Sequence, residues 1–476
     1  MNDMILILDH SQEYGMEIAR RLRAEQIEAR IAPADAAVQR IRSMDPCGVI
    51  LCGEAEGALD NEILTLGMPV LALGRAAYRL LSSLGGANAG VAISERKAQV
   101  VYARSALFTG IGDSERYFGQ AQTLMLPADV VETASAGGCT VAFEDAKHKH
   151  YGVQFDLERN DPEGSQILTN FVLDICGCRR TWTLESALDR AQRMLSQAAD
   201  RGGYALCAVS GGVDSTLCAL LAHRAFGERM TAIFVDTGLM REGEAEEIQR
   251  TMQTLGIPML RVDRSAQILA LLAGKTCMEE KRAVVVESMY SELLRESTRI
   301  EGEKTLVLGT NYSDYLECGS GAPKWQGSGM TVVEPLLMLF KDEIRAIGQM
   351  LNMSEELVSR KPFPALGLGA RIVGEVTGER VQALRTAERI FRSEIEHSGM
   401  ERKLYKYFPV LIGGENLGQE LMVLRAVTLS GGQLTPARLP YDLVERTVEQ
   451  ILRELPGIAR VLYDQTPTGV GQESFN

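Results

Sequence analysis

The sequence predicts an α/β protein, with two doubly wound α/β domains followed by a small α+β domain. Three observations carry this expectation. With 476 residues the chain is three times the size of a domain of about 150 residues, which leaves room for several buried cores. Short apolar, β-rich runs alternate with helical patterns across residues 1–178 and again across 179–360, as a largely parallel sheet covered by helices requires. From residue 361 that alternation stops, and a long helical pattern is followed by strands and a second helix.

The first segment opens with a strand at Met4–Leu8, a helix around Met16–Arg23, and strands at Gly48–Cys52 and Pro69–Leu73. It closes with a strand at Tyr151–Phe155 and a helix at Ser165–Ile175, ahead of a boundary at Gly177–Thr181. A helix at Leu184–Ala198 leads into the second segment, whose strands are expected at Tyr204–Val209, Met230–Val235, Met259–Val262 and Thr305–Leu308. Four such strands in parallel place the ligand crevice at their carboxyl ends. The third segment follows Lys361-Pro362-Phe363-Pro364 and Gly367-Leu368-Gly369. It is expected to hold a helix at Glu379–His397, strands at Tyr407–Ile412 and Leu421–Val427, a helix at Pro440–Leu455 and a strand at Ala459–Tyr463.

Composition narrows the function classes. Apolar residues at 45% and charged residues at 24% are those of a folded chain rather than a disordered or fibrous one. A net charge of −13 argues against a large nucleic-acid footprint. Asp3 precedes only a short apolar run, so a secretory leader is not expected, and no run approaches the ~20 apolar residues of a membrane span. Nine cysteines, mostly inside apolar runs, read as reduced, buried thiols of a cytoplasmic protein. Cys176-Gly177-Cys178 has no second pair at zinc-site spacing, so no structural metal is expected.

The strongest local signal is Ser210-Gly211-Gly212-Val213-Asp214-Ser215-Thr216 after the apolar run Tyr204–Val209. A strand that ends in two glycines and a helix start brings backbone N–H groups onto an anion, where the helix dipole favours negative charge. Ser210, Ser215 and Thr216 add hydroxyl donors. Asp214 would repel a bare phosphate, so its place fits a shared cation such as Mg²⁺. No GK[ST] follows, which excludes a Walker A loop.

This motif resembles that of the ATP pyrophosphatases, and Val235-Asp236-Thr237-Gly238 is similar to their adenine-side strand end. The resemblance narrows to the GMP synthase family over essentially the whole chain. It rests on Tyr151-Gly-Val-Gln-Phe155, Asp174-Ile-Cys-Gly-Cys178, Gly309-Thr310-Asn311-Tyr312-Ser313-Asp314, Val333-Glu334-Pro335-Leu336, Phe340-Lys341-Asp342-Glu343, Pro362-Phe363-Pro364, Leu424-Arg425-Ala426-Val427 and Leu439-Pro440-Tyr441-Asp442.

The resemblance implies three parts: a class I glutamine amidotransferase-like domain over 1–178, an ATP pyrophosphatase domain over 179–360 and a dimerisation domain over 361–476. It implies ATP on Ser210, Gly211, Gly212, Val213, Asp214, Ser215, Thr216, Val235, Asp236, Gly309 and Thr310. Asp214, Ser210 and Lys341 would take catalytic roles, with Mg²⁺ on Asp214. The acceptor nucleotide would meet Arg282, Asp314, Arg371 and Arg460. A homodimer is implied as well.

The chain also departs from the family. Gly74 stands where the glutaminase cysteine belongs, and Asp156 where its histidine belongs, with Glu158 retained. Cys52-Gly53-Glu54-Ala55 replaces a double glycine at the oxyanion loop. Without a thiol and its base there is no nucleophile to activate, so the first domain is expected to be an inactive glutaminase. Ammonia would come free or from a separate partner. His148, His150, Cys47 and Cys139 are better explained as packing than as replacements.

Three further places differ. The lid is shortened to Glu317–Met330, where Lys324 either reaches a phosphate or sits on a flexible surface loop. Leu411-Ile412-Gly413-Gly414 lacks an expected arginine. Thr466 stands near the expected tail lysine, and the tail Pro467–Asn476 is rewritten.

The leading expectation is therefore an ATP-dependent ligase of the GMP synthase type that adenylates an XMP-like nucleotide and aminates it with ammonia. A paralogue with another oxo-heterocycle or a sulfur nucleophile, and a non-catalytic nucleotide-binding regulator, remain open.

Overall fold

The computed structural model describes residues 2–9, 13–33, 36–53, 61–93, 97–119, 121–157, 161–361, 363–364, 366–413, 420–430 and 433–469. It divides into two compact units, Met1–Ala187 and Leu188–Asn476.

The first unit carries eleven strands: β1 (Asn2–Asp9), β2 (Glu28–Pro33), β3 (Pro46–Cys52), β4 (Val70–Leu73), β5 (Ala87–Ile93), β6 (Lys97–Tyr102), β7 (Ser114–Tyr117), β8 (Ala121–Met125), β9 (Val131–Ala136), β10 (Cys139–Asp145) and β11 (His150–Val153). Nine form one sheet in the order β2-β1-β3-β4-β11-β10-β9-β6-β7, and β5 and β8 pair separately. The half from β2 to β11 is parallel, as expected from the buried runs Ile5–Leu8 and Val70–Leu73. The other half, β10-β9-β6-β7, is antiparallel and was not foreseen. Its strands are short and half-exposed, mixing polar residues with exposed Val101, Tyr117 and Val131, so they present no long apolar run to read.

The expected helix at Ser165–Ile175 is an α-helix at Pro162–Thr169 that widens into a π-helical turn at Asn170–Ile175. Asn170 is buried there, and its amide donates to the carbonyls of Leu107 and Thr109 at 2.9 Å.

One cysteine expectation is overturned. Cys47, at the start of β3, and Cys178, just past the π turn, are joined in a disulfide, while the other seven are free. The bond closes a separation of 131 residues, which no local pattern reveals. Beyond it the chain stays on the unit: Arg179 pairs with Asp3 at 2.6 Å, and Trp182 packs under Arg23 at 4.1 Å.

The second unit adds β12 (Tyr204–Ala208), β13 (Met230–Asp236), β14 (Met259–Asp263), β15 (Lys304–Val307) and β16 (Thr331–Val333), all parallel in the order β14-β13-β12-β15-β16. The order reverses beside β12, so the switch point of this doubly wound sheet lies between β12 and β15. A mixed sheet follows: β17 (Ile372–Val373), β18 (Lys406–Ile412), β19 (Glu420–Ser430), β20 (Gln433–Pro436), β21 (Ile458–Tyr463) and β22 (Thr468–Gly469). Helices Gly378–His397 and Tyr441–Glu454 cover it, close to where the sequence places them. One apolar core joins the two sheets, with Leu239, Ile268 and Val285 from the first packing with Leu384, Phe391 and Leu443 from the second.

Candidate active site

The switch point gathers polar side chains from three segments: the turn after β12, the strand end after β15 and the helix Lys341–Met350. After β12 the chain turns through Val209–Gly212 into the helix Val213–Phe226, so Asp214, Ser215 and Thr216 fall in its first turn. Gly211 has φ +83°, and a Cβ there would lie 2.4 Å from Ile248 Cδ1, so both backbone and space ask for glycine. Arg360 holds the Gly211 carbonyl at 2.9 Å and pairs with Glu244 at 3.0 Å. Within the turn, the Ser210 N–H donates to Ser215 Oγ at 3.1 Å, and Ser215 Oγ donates to the Gly212 carbonyl at 3.1 Å.

From the neighbouring strand end, Gly309 approaches so closely that a Cβ would sit 3.0 Å from Ser215 Cα. Asn311, fully buried, donates its amide to Asp214 Oδ2 at 2.9 Å and caps the helix Tyr312–Cys318 together with Asp314. Lys341 opens the helix Lys341–Met350, with its ammonium 3.9 Å from Asp314 Oδ1.

Two buried polar atoms of this turn, Asp214 Oδ1 and Thr216 Oγ1, have no hydrogen-bond partner, nor has Nε of Arg345, whose charge acts on Asp214 from the helix Lys341–Met350. Buried polar groups are rarely left so. An acceptor, a hydroxyl and a cationic donor left unmatched together fit an anion accompanied by a cation. Burial pushes the Asp214 carboxyl above its ordinary value, against the hydrogen bond from Asn311 and the charges of Lys341 and Arg345. Among the described residues no three ligating side chains gather into a metal site. A magnesium ion here would rest on one carboxylate and the ligand's own oxygens, the usual manner for that ion.

The remaining expected residues are more dispersed. Val235, next to last in β13, is buried. Asp236 accepts from the Gly238 N–H at 3.0 Å and pairs with Arg261 at 2.7 Å, on the edge of a cavity of about 470 Å³. Thr310 donates its hydroxyl to Glu334 at 2.6 Å.

Of the four acceptor candidates, Arg282 and Arg460 are exposed and Asp314 is spent on the helix cap. Arg371 is buried, 2.8 Å from Glu388, and lies over Phe408 at 4.6 Å; burial pulls its guanidinium below the ordinary value. Arg241 approaches the same Glu388 at 2.8 Å. Arg371 is the one of the four that lines a neighbouring cavity of about 440 Å³. Sequence reading left out Asn311, Arg345, Glu334 and Arg360 as site residues. Asn311 and Glu334 stood inside quoted motifs, but nothing local showed what they touch.

In the first unit, Gly74 follows β4 with φ +59° and ψ −124° and begins the helix Arg75–Ser83. Among the described residues nothing lies within 4 Å of where its Cβ would be. Asp156 stands just past β11, its N–H bonded to the Tyr117 carbonyl at 2.9 Å. Glu158 and Glu54 lie outside the described residues. His150 begins β11 and pairs with Val70, three residues before the Val153–Leu73 pair beside Gly74, which is about 10 Å along the strand. His148 is bound to Asp145 at 2.6 Å. Neither histidine reaches the Gly74 turn. The Cys52 thiol is buried and pushed well up by desolvation and Asp9, the reverse of an activated nucleophile.

Comparison with known proteins places these features. The profile of the NAD synthase family matches residues 194–372, which span the Ser210–Thr216 turn and its sheet. A GMP synthase [glutamine-hydrolyzing] of Geobacillus kaustophilus is 34% identical over 498 residues, covering 98% of both chains. That of Symbiobacterium thermophilum is 36% identical over 508 residues, covering 98% of this chain and 97% of its own. That of Acetivibrio thermocellus is 34% identical over 502 residues, with 98% of each chain covered.

Proposed function

The chain belongs to the GMP synthase family, and from that premise we propose that it is an ATP-dependent carbon–nitrogen ligase that adenylates an XMP-like nucleotide and aminates it with ammonia, without glutaminase activity of its own. The observation that carries this reading is the phosphate turn with its unmatched Asp214 Oδ1 and Thr216 Oγ1, together with the unmatched Arg345 Nε.

In this reading, main-chain N–H groups at Gly211–Asp214 and the hydroxyls of Ser210 and Thr216 receive the triphosphate. Asp214 would hold magnesium, which neutralises phosphate charge when bound. Asn311 orients that carboxylate, and Lys341 and Arg345 add positive charge beside it. The acceptor's carbonyl oxygen attacks the α-phosphorus and the α–β bond breaks, releasing pyrophosphate. Ammonia then attacks the adenylated carbon, a proton is lost to solvent, and AMP leaves. The side chains do no covalent work; they position and neutralise.

Absence of a glutaminase is supported by Gly74, which offers no nucleophile, and by Asp156, a carboxylate where an imidazole base is needed. We assign the three expected segments, 1–178, 179–360 and 361–476, to the inactive amidotransferase-like, adenylating and dimerising roles. A homodimer in the cytoplasm, supplied with ammonia free or by a partner, completes the proposal.

A second reading, in which the acceptor is a different oxo-heterocycle, is favoured by Arg371: its charge is already matched by Glu388. Pyrophosphate and AMP release with ATP, magnesium, ammonia and XMP tests the first reading, with glutamine replacing ammonia in a parallel arm. GMP from ammonia but not from glutamine is the expected result. No AMP with XMP, but AMP with another oxo-purine, selects the second.

A further inference from the structure

The Gly-rich stretch 319–330, between the helix Tyr312–Cys318 and β16, is held at two points. At its start, Glu334, only 7% exposed, takes three hydrogen bonds: Oε1 from the Thr310 hydroxyl at 2.6 Å and the Gly321 N–H at 2.9 Å, and Oε2 from the Ser320 hydroxyl. Further along, Trp325 is buried with its ring 4.4 Å from that of Tyr290. Lys324, beside that second anchor, is exposed.

Glycine is needed where the stretch meets β15. A Cβ on Gly321 would lie 2.9 Å from Leu308 Cδ1 and 3.2 Å from Glu334 Oε1. On the far side of Thr310 stand Gly309, against Ser215, and Asn311, which grips Asp214. A continuous path of short contacts therefore runs from the phosphate turn through Thr310 to Glu334 and into the stretch. The stretch is tied down rather than a loose surface segment.

We propose that Glu334 is a positioning residue for nucleotide binding: it fixes the stretch that carries Lys324 to the strand end bordering the phosphate turn, so that the stretch meets ATP already formed. The proposal rests on the ATP-binding reading above and deepens it. A segment ordered beforehand does not lose its freedom when the ligand arrives, so its anchor contributes to affinity without touching the ligand. Carboxylate acceptors make the stronger hydrogen bonds, which suits one group holding three donors.

The experiment measures ATP binding by equilibrium dialysis for the wild type, Glu334→Ala, Glu334→Gln, Lys324→Ala and the Glu334→Ala/Lys324→Ala double variant, with amide exchange over 319–330 and melting temperature alongside. Glu334→Ala is expected to weaken ATP binding about tenfold and to speed exchange within the stretch. Glu334→Gln should recover most of the affinity, because its carbonyl still accepts from Thr310 and Gly321 and its amide can donate to the Ser320 hydroxyl. The double variant should be no weaker than the worse single one, the signature of two residues acting as a unit.

Unchanged ATP affinity in Glu334→Ala, full additivity with Lys324→Ala, or a Gln variant as weak as the Ala variant overturns the positioning role while leaving the functional reading intact. A wild type that binds no ATP overturns both.

Discussion

At Gly74 and at Gly211 the chain makes the same kind of corner: a buried parallel strand ends, a glycine takes a positive φ, and a helix begins within two residues. The surroundings differ. Around Gly211 the turn is filled, with Ile248 where a Cβ would go, Arg360 on the carbonyl, and Ser210 and Ser215 bonded across it. Around Gly74 no described residue comes near the place of a Cβ, and the first turn of the following helix carries no acid. The difference teaches that strand-to-helix packing builds the same corner around quite different side chains. Chemistry lives in a few side chains that can be lost without cost to the fold.

The largest test of this contrast exchanges the two aspartates. Asp214→Asn is expected to lower ATP-dependent pyrophosphate release by about 10²–10³-fold, the usual scale for removing one electrostatic contact to a transition state. Asp156→Asn should leave ammonia-dependent turnover unchanged; a comparable fall there would erase the contrast.

Asp214 also carries a sign prediction. Its raised pKa means that the folded protein holds the proton more tightly than the unfolded chain. The contribution to stability is therefore complete below the unfolded value and is lost as pH rises through the raised one. Above that raised value the ionised carboxylate opposes folding, so nucleotide-free Asp214→Asn should there melt at or above the wild-type temperature while turnover is lost. A lower melting temperature in calorimetry would refute the assignment of cost.

The disulfide sharpens the contrast next, because both of its cysteines lie in the first unit. Alkylation of the unfolded, unreduced chain should label seven cysteines, and reduction should raise the number to nine. Cys47→Ser should cost about 2–4 kcal/mol in denaturant unfolding of residues 1–187, with ATP binding intact. Nine labelled thiols before reduction would instead restore the reading of wholly reduced cysteines.

The smallest effects come from Gly74→Ala and Gly211→Ala. Each places a Cβ at positive φ, at about 1–2 kcal/mol. The first should leave ATP binding as it is, and the second should also weaken it, since Ile248 must give way. Equal effects on ATP binding would mean that the two corners are not functionally distinct.

Much of this was legible along the chain. The parallel strands announced themselves as apolar runs, and the Ser210–Thr216 turn as a strand, two glycines and a helix start, because neighbours in sequence make those features. That Gly74 offers no thiol is plain from its residue type, but only the family resemblance makes a cysteine the expected residue there. The antiparallel half of the first sheet was not legible, since half-exposed strands carry no long apolar signal.

What the sequence by itself determined is the set of local elements: which strands are buried, where a helix begins, and which turn its glycines sharpen. Only the tertiary structure decided what those groups touch. Asn311 lies 97 residues from the Asp214 it orients, Cys178 lies 131 from the Cys47 it binds, and Arg371 spends its charge on Glu388 inside a core shared by two sheets. Such pairings depend on how whole elements pack, and residues so far apart meet only when the complete fold brings them together.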